Sequence, residues 1–301
     1  MSPTATPKIA CVGGGHGLSA ALRAARRLTD HVSAIVSVAD DGGSSGVLRR
    51  QLGIPAPGDL RMAIAALAAD EEREGLIQYR FREGELAGHP LGNLLIAALA
   101  DLRGDFAQAV TEVARLAGVT GRVLPATIAP ISLVARMNGQ EIRGQVPIAR
   151  GPGPVERMWL DPADPKPHPE TIEALESADL VVLGPGSLFT SVAAALLVPG
   201  VGEASSRAGH VAMVLNLVQQ VGETVGLDAA DHVRDLRALC PGLRLDAVLV
   251  HDDPYLERPN VVRVDDAALA ALGVPVLRAD LTVDGLRHDP ERLATALKQL
   301  L

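Results

Sequence analysis

The sequence predicts an α/β chain with a Rossmann-like, doubly wound, mainly parallel sheet, helices on both faces and a small antiparallel β insertion. Three observations carry that expectation. The chain opens as strand Lys8–Val12, glycine turn Gly13–Gly17, amphipathic helix Leu18–Thr29 and strand Ala34–Val38, which is a βαβ unit. Strand and helix alternate again from Glu170 to the end. The strand segments are apolar throughout instead of alternating, as in a parallel sheet covered on both faces. With 301 residues and 48% hydrophobic content, one domain over 1–301 with a β-hairpin insertion at about 122–160 is expected.

The elements follow in order. Gly58-Asp59-Leu60-Arg61 starts the second helix, with Asp59 as N-cap and Met62, Ala65, Ala66 and Ala69 at helical spacing. The charged stretch Ala69–Gly75 reads as solvated, followed by helices near Leu76–Arg82, Pro90–Arg103 and Phe106–Ala117. Pro90 suits a first helical turn. Val123–Thr127, Ser132–Asn138 and Gln140–Val146 read as strands of the insertion, and Asn138-Gly139 between the last two signals a type I′ hairpin. Proline-rich Gly151–Pro169 must be extended or loop-like. Then come helix Glu170–Ser177, strand Asp179–Leu183, a Gly-Pro-Gly turn, helices Ser187–Leu197 and Gly202–Ala208, strand Val211–Leu215 and helix Asp228–Leu239. Strands Ala247–Val250 and Val261–Val264, helix Asp265–Leu272, strand Pro275–Arg278 and helix Asp289–Leu301 complete the chain.

Composition excludes several classes. A net charge of −8 without a Lys/Arg run argues against a nucleic-acid partner, and 2% aromatic content leaves few platforms for stacking bases. Cys11 and Cys240 form no C-x-x-C pair and read as core residues. Met1–Pro7 holds no apolar stretch of signal-peptide length, and Leu180–Val201 is broken by Gly184-Pro185-Gly186, Thr190-Ser191 and Pro199. No membrane span is expected, and the location expected is cytoplasmic.

Ligands of doubly wound sheets sit outside the carboxyl ends of the strands, so the strand-to-helix turns are the candidate site. Gly13, Gly14, Gly15, His16 and Gly17 follow the first strand, and Gly15–Ala20 fits G-x-G-x-x-G/A with Asp40 about twenty residues on. The bland reading is a tight turn; the consecutive glycines exceed its needs and expose N–H groups at a helix start, which suits an anion. His16 either caps that helix or faces solvent.

The second turn holds Asp40, Asp41, Gly42, Gly43, Ser44 and Ser45. A carboxylate about 6 Å from a phosphate is repelled by roughly 3 kcal/mol at an effective dielectric of 20, more than the ~0.3–2 kcal/mol a helix terminus returns. Asp40 and Asp41 therefore either hold a divalent cation such as Mg²⁺ or accept hydrogen bonds from ribose or sugar hydroxyls, unless one of them caps the turn.

Four more elements reach the same edge: Asp59 and Arg61; Asn93 within Gly88–Asn93; Gly184, Gly186, Ser187, Thr190 and Ser191; and Asn216 after its strand. No Walker loop, G-x-S-x-G elbow, H-E-x-x-H or Cys/His metal spacing is present, so the serines read as hydrogen-bond donors and no residue as catalytic. The dinucleotide spacing also admits a nicotinamide-dependent oxidoreductase, but no hydride-handling set accompanies it.

Together these residues resemble the gluconeogenesis-factor family (YvcK-like), a branch of the superfamily that includes 2-phospho-L-lactate transferase (CofD-like). The resemblance runs through Gly13–Gly17, Ala39–Gly46, Pro57–Arg61, His89–Asn93, Gly184–Ser191, Asn216–Thr224 and Arg287-His288-Asp289. It implies a Rossmann-type regulator that binds a UDP-sugar, UDP-N-acetylglucosamine in particular, and ties gluconeogenic carbon use to cell-wall precursor supply and cell shape. It further implies Tyr255 and Arg287 as nucleotide-sugar-binding groups, a cell-wall precursor enzyme as partner, and no required cofactor. The transferase branch implies instead phospholactyl transfer from a nucleotide diphosphate with Mg²⁺ at Asp40 and Asp41. A homo-oligomer is left open. The chain departs from the family at His16, where threonine is common, at Val218–Val221, where Met-Thr-Gln-Pro is usual, and at Pro290, where some relatives carry threonine.

Overall fold

Residues 9–13 carry no polar side chain, and in a computed structural model describing residues 6–252 and 260–301 they form a wholly buried central strand, β1 (Ile9–Gly13). Beside it lies β2 (Val32–Val36), then β3 (Arg122–Pro125), each parallel to its neighbour. On the other side of β1 the chain returns as β7 (Leu180–Leu183), followed outward by β8 (His210–Val214), β9 (Ala247–His251) and β10 (Val276–Ala279), all parallel. The order is β10-β9-β8-β7-β1-β2-β3. The winding direction therefore reverses between β1 and β7, and a crevice opens there at the carboxyl ends.

Between β3 and β7 a three-stranded antiparallel sheet is inserted, with β4 (Ser132–Met137) at its centre, flanked by β5 (Gln140–Arg143) and β6 (Val155–Asp161). Asn138 (φ 49°) and Gly139 (φ 72°) make the β4–β5 turn with two positive φ angles, as the type I′ signal requires.

Several boundaries differ from expectation for local reasons. The strand at Val123 does not open the insertion; it is β3 of the main sheet, and the antiparallel part begins at Ser132. Prolines 152, 154 and 162 flank β6 instead of dissolving it, because its core Val155–Asp161 contains none. The strand expected through Val146 stops at Arg143, and Gln145–Ala149 is a short helix. Val261–Val264 is no strand; Val261 only bridges to Val218.

Helix α1 (Gly15–Arg26) starts inside the glycine loop, and α2 (Gly43–Leu52) starts inside the second, where only a turn is expected. In α3 (Gly58–Ala66) Pro57 holds the N-cap, so Asp59 sits within the first turn. The charged stretch folds as α4 (Glu71–Gln78), capped by Asp70, whose side chain accepts the Arg73 N–H. Among the described residues no helix is long and apolar enough to cross a membrane.

The core runs along both faces of β1, β2 and β7, with Ile35 fully buried between layers. Truncation there leaves a cavity the strands cannot close. Ile35→Ala is expected to cost about 2–5 kcal/mol, read as a lowered midpoint in urea denaturation with an unchanged slope.

Candidate functional site

The loops after β1 and β7 touch. A Cβ on Gly17 would fall 2.2 Å from the Pro185 carbonyl oxygen, so only glycine lets the start of α1 lie on the Gly184–Gly186 turn. That turn is held in place by Asn216 just beyond β8: its Oδ1 accepts the Gly186 N–H at 3.0 Å and its Nδ2 donates to the Gly186 carbonyl at 2.8 Å. Gln220 continues the tie, donating to Ser187 Oγ at 3.1 Å.

The second turn joins from below. A Cβ on Gly14 would fall 2.2 Å from Asp59 Oδ2, and the Asp59 carboxyl accepts the Gly15 N–H. A Cβ on Gly58 would meet Ser45 Oγ at 2.3 Å and Asp40 Oδ2 at 2.7 Å. A buried chain then leads outward: Arg61 Nε donates to Asn93 Oδ1 (3.1 Å), Asn93 Nδ2 donates to Ser44 Oγ (3.1 Å), and Ser44 meets His89 Nδ1 (2.9 Å). The turns at 13–17, 40–45 and 184–191 thus converge on one end of the sheet.

Above this floor lies a cleft of about 580 Å³, lined by His16 and Gly17 from α1, Pro185 and Gly186, Asn216–Val218, and Arg287. His16 and Arg287 are both exposed and both line it. The loop carrying Arg287 is stiff: Asp284 accepts the Leu286 and Arg287 N–H groups, Thr282 Oγ1 donates to the Arg287 carbonyl at 2.6 Å, and His288 Nε2 is bonded to the Leu215 carbonyl at 3.1 Å. Burial, with His251 nearby, pushes His288 down to about 4, so it is neutral near pH 7. Another cleft of about 370 Å³ lies among Lys8, Asp30 and Thr120, at the amino ends of the strands, where none of these loops reaches.

Some expected site residues do other work. Asp41 does not face Asp40: its Oδ1 accepts the Val146 N–H at 2.9 Å, and a Cβ on Gly144 would lie 2.0 Å from its Oδ2. Asp41 therefore fastens the insertion, and the carboxyl that feels the charge of Asp40 is Asp59. Asp40 Oδ1 also accepts the Gly42 N–H at 2.9 Å, the capping role foreseen for one of the two. Thr190 is buried and donates to Glu223 Oε1 at 2.6 Å, outside the lining of the cleft, while Ser191 Oγ packs beside Gly14. Tyr255 lies outside the described residues. The sequence reading passed over Arg23, Glu74 and Gln78, which also line the cleft; nothing in their local pattern separates them from a solvated face.

The electrostatics centre on Asp59. Burial first, and the Asp40 charge second, raise its pKa to about 7 against the opposing pull of the Gly15 N–H and Arg61. Arg61 is lowered to about 10, mainly by burial and then by Arg80.

Three glycine-bearing turns converging at the switch point of a doubly wound sheet, beside a cleft that also takes in Arg287, place this chain in the class of doubly wound α/β proteins whose strand-to-helix turns frame a crevice. The family model described as 2-phospho-L-lactate transferase CofD matches residues 9–282. The gluconeogenesis factor of Bacillus subtilis is 41% identical over 311 residues, covering 98% of both chains. A Mycobacterium leprae protein is 45% identical over 99% of this chain and 87% of its own. A crystal structure of a UPF0052 family member from Bacillus halodurans superposes with a TM-score of 0.93 at 38% identity, covering 98% of this chain and all of the other. The chain belongs to the CofD family, among relatives called gluconeogenesis factors.

The raised Asp59 pKa has a stability consequence. An unfolded carboxyl titrates near 3.8 and the folded one near 7, so the folded state binds more protons between those values and loses stability as pH rises through that window. The shift corresponds to an upper bound of about 4 kcal/mol. Asp59→Asn keeps the acceptor for Gly15 and removes the penalty: its melting temperature should exceed wild type at pH 8 and lose that advantage by pH 4, followed by calorimetry across the range.

Proposed function

We propose that the chain is a UDP-sugar-binding regulator, with UDP-N-acetylglucosamine as the ligand class, acting in the cytoplasm to couple gluconeogenic carbon use to cell-wall precursor supply and cell shape through a precursor-pathway enzyme. One observation carries this: the first turn of α1 and Arg287 line a single cleft of a size suited to a small ligand. A diphosphate placed there meets backbone N–H groups on one side and a fork of cationic donors on the other. The side chains best suited to attack are otherwise engaged. Cys11 and Cys240 are buried, with thiols pushed up to about 12 by burial, Thr190 is bonded to Glu223, and Ser44 is tied to Asn93 and His89. The relative from Bacillus subtilis bears the name gluconeogenesis factor, which agrees with the metabolic side of the reading.

A second reading, a nucleotide-diphosphate-dependent phospholactyl transferase, is favoured by the family description and by the Asp40–Asp59 neighbourhood. Mg²⁺ would there be held by Asp40 and Asp59, not by Asp40 and Asp41; two carboxylates with hard oxygen donors fit such an ion, which would relieve their repulsion. Turnover that requires Mg²⁺ and disappears in Asp59→Asn would favour it over the regulator.

Calorimetric titration with UDP-N-acetylglucosamine and UDP-glucose should show saturable micromolar binding with no metal added. Arg287→Ala should weaken it at least about tenfold, equivalent to the loss of one charge-assisted contact. Flat titrations with both ligands would overturn the proposal.

A further inference from the structure

The cleft does not end at the anion cradle. It continues along α1 past Ser19 to Arg23, eight residues and roughly 12 Å beyond Gly15. There α4 presents Glu74 and Gln78, four residues apart and so on one helix face. Arg23 grips the Glu74 carboxylate with two guanidinium nitrogens at 2.6 and 3.3 Å, which fixes its position across 51 residues of sequence. Among the described residues the Gln78 amide makes no hydrogen bond to the protein.

This end of the cleft has a different chemistry from the other. The Arg23–Glu74 pair is neutral as a whole and offers a phosphate no net attraction, whereas the α1 N-terminus and the positive charge of Arg287 do, so the anionic part of a ligand is assigned to that end. What a carboxylate and a primary amide satisfy together is a pair of neighbouring hydroxyls: the hydroxyls donate to Glu74 and accept from Gln78. Resting on the proposed anion-binding function, we infer that Glu74 and Gln78 form a polyol subsite. It binds the vicinal hydroxyls of an uncharged sugar ring attached to the anionic centre, and Arg23 is the positioning residue that holds Glu74. The subsite selects ligands by their ring, while the cradle selects them by their charge.

The ring has two sources, the ribose of the nucleotide or the sugar appended to the diphosphate. Wild type, Glu74→Gln and Gln78→Ala would be titrated with UDP-N-acetylglucosamine, UDP and 2′-deoxyuridine diphosphate, with melting temperatures confirming that both variants fold. Both side chains are partly exposed on a surface helix, and Gln78→Ala leaves the Arg23 pair intact. The expected result is a loss of about tenfold in affinity for UDP-N-acetylglucosamine in each variant. If UDP binding is unaffected, the ring is the appended sugar. If UDP weakens equally while the deoxy analogue does not respond to the substitutions, it is the ribose. Wild-type binding that survives unchanged in both variants would overturn the subsite while leaving the proposed function standing; a wild type that binds none of the three ligands overturns both.

Discussion

The contact on which the site depends is the seating of Gly17 against the Pro185 carbonyl. Adjacent parallel strands bring the two loops to the same edge, but they touch only because a Cβ is missing where one would lie 2.2 Å from that oxygen and 2.7 Å from the Gly186 Cα. The same device recurs outward. Gly14 admits the Asp59 carboxyl, Gly58 admits Ser45 and Asp40, and Gly92 admits the Arg61 side chain and the Ile77 carbonyl. The floor of the cleft is thus a relay of close approaches, each of which needs a backbone without a side chain. Because α1 begins at Gly15, its free N–H groups are set by helix geometry and not by a loop.

The strands were legible because they are buried on both faces, leaving continuous apolar runs that no surface element imitates. What local composition obscured was of two kinds. Gly43-Ser44-Ser45-Gly46 reads as a turn, yet it begins α2, since burial of Ser44, Ser45 and Leu48 outweighs weak helix propensity. Glu74 reads as one more charge in a solvated stretch until Arg23 of α1 is found beside it. The direction of neighbouring side chains was equally hidden. Asp40 and Asp41 look like a pair in sequence, but successive residues of an extended segment point apart, and the partner that matters for Asp40 is 19 positions away at Asp59.

The buried charges explain why this end of the fold is costly. Asp59 and Arg61 share a region where desolvation opposes both ionised forms, and one retained pair among hydrophobic neighbours is generally no gain over apolar packing. Here the helix start, through the Gly15 N–H, pulls Asp59 toward its ionised form while burial and Asp40 push it back more strongly, which leaves its pKa at about 7. Asp59, packed against the first glycine loop, is therefore only partly ionised near neutrality.

The insertion belongs mechanically to the site. Asp41 holds Val146, Gln145 Nε2 donates to the Thr190 carbonyl at 3.0 Å, and a Cβ on Gly222 would fall 2.1 Å from the Ala149 carbonyl oxygen. The single short helix Gln145–Ala149 thereby touches the second glycine turn, the segment after β7 and the loop after β8, while its own chain continues toward the antiparallel sheet. A displacement of any one of those turns must be absorbed by that helix or passed to β4–β6. One element thus joins the floor of the cleft to the antiparallel sheet.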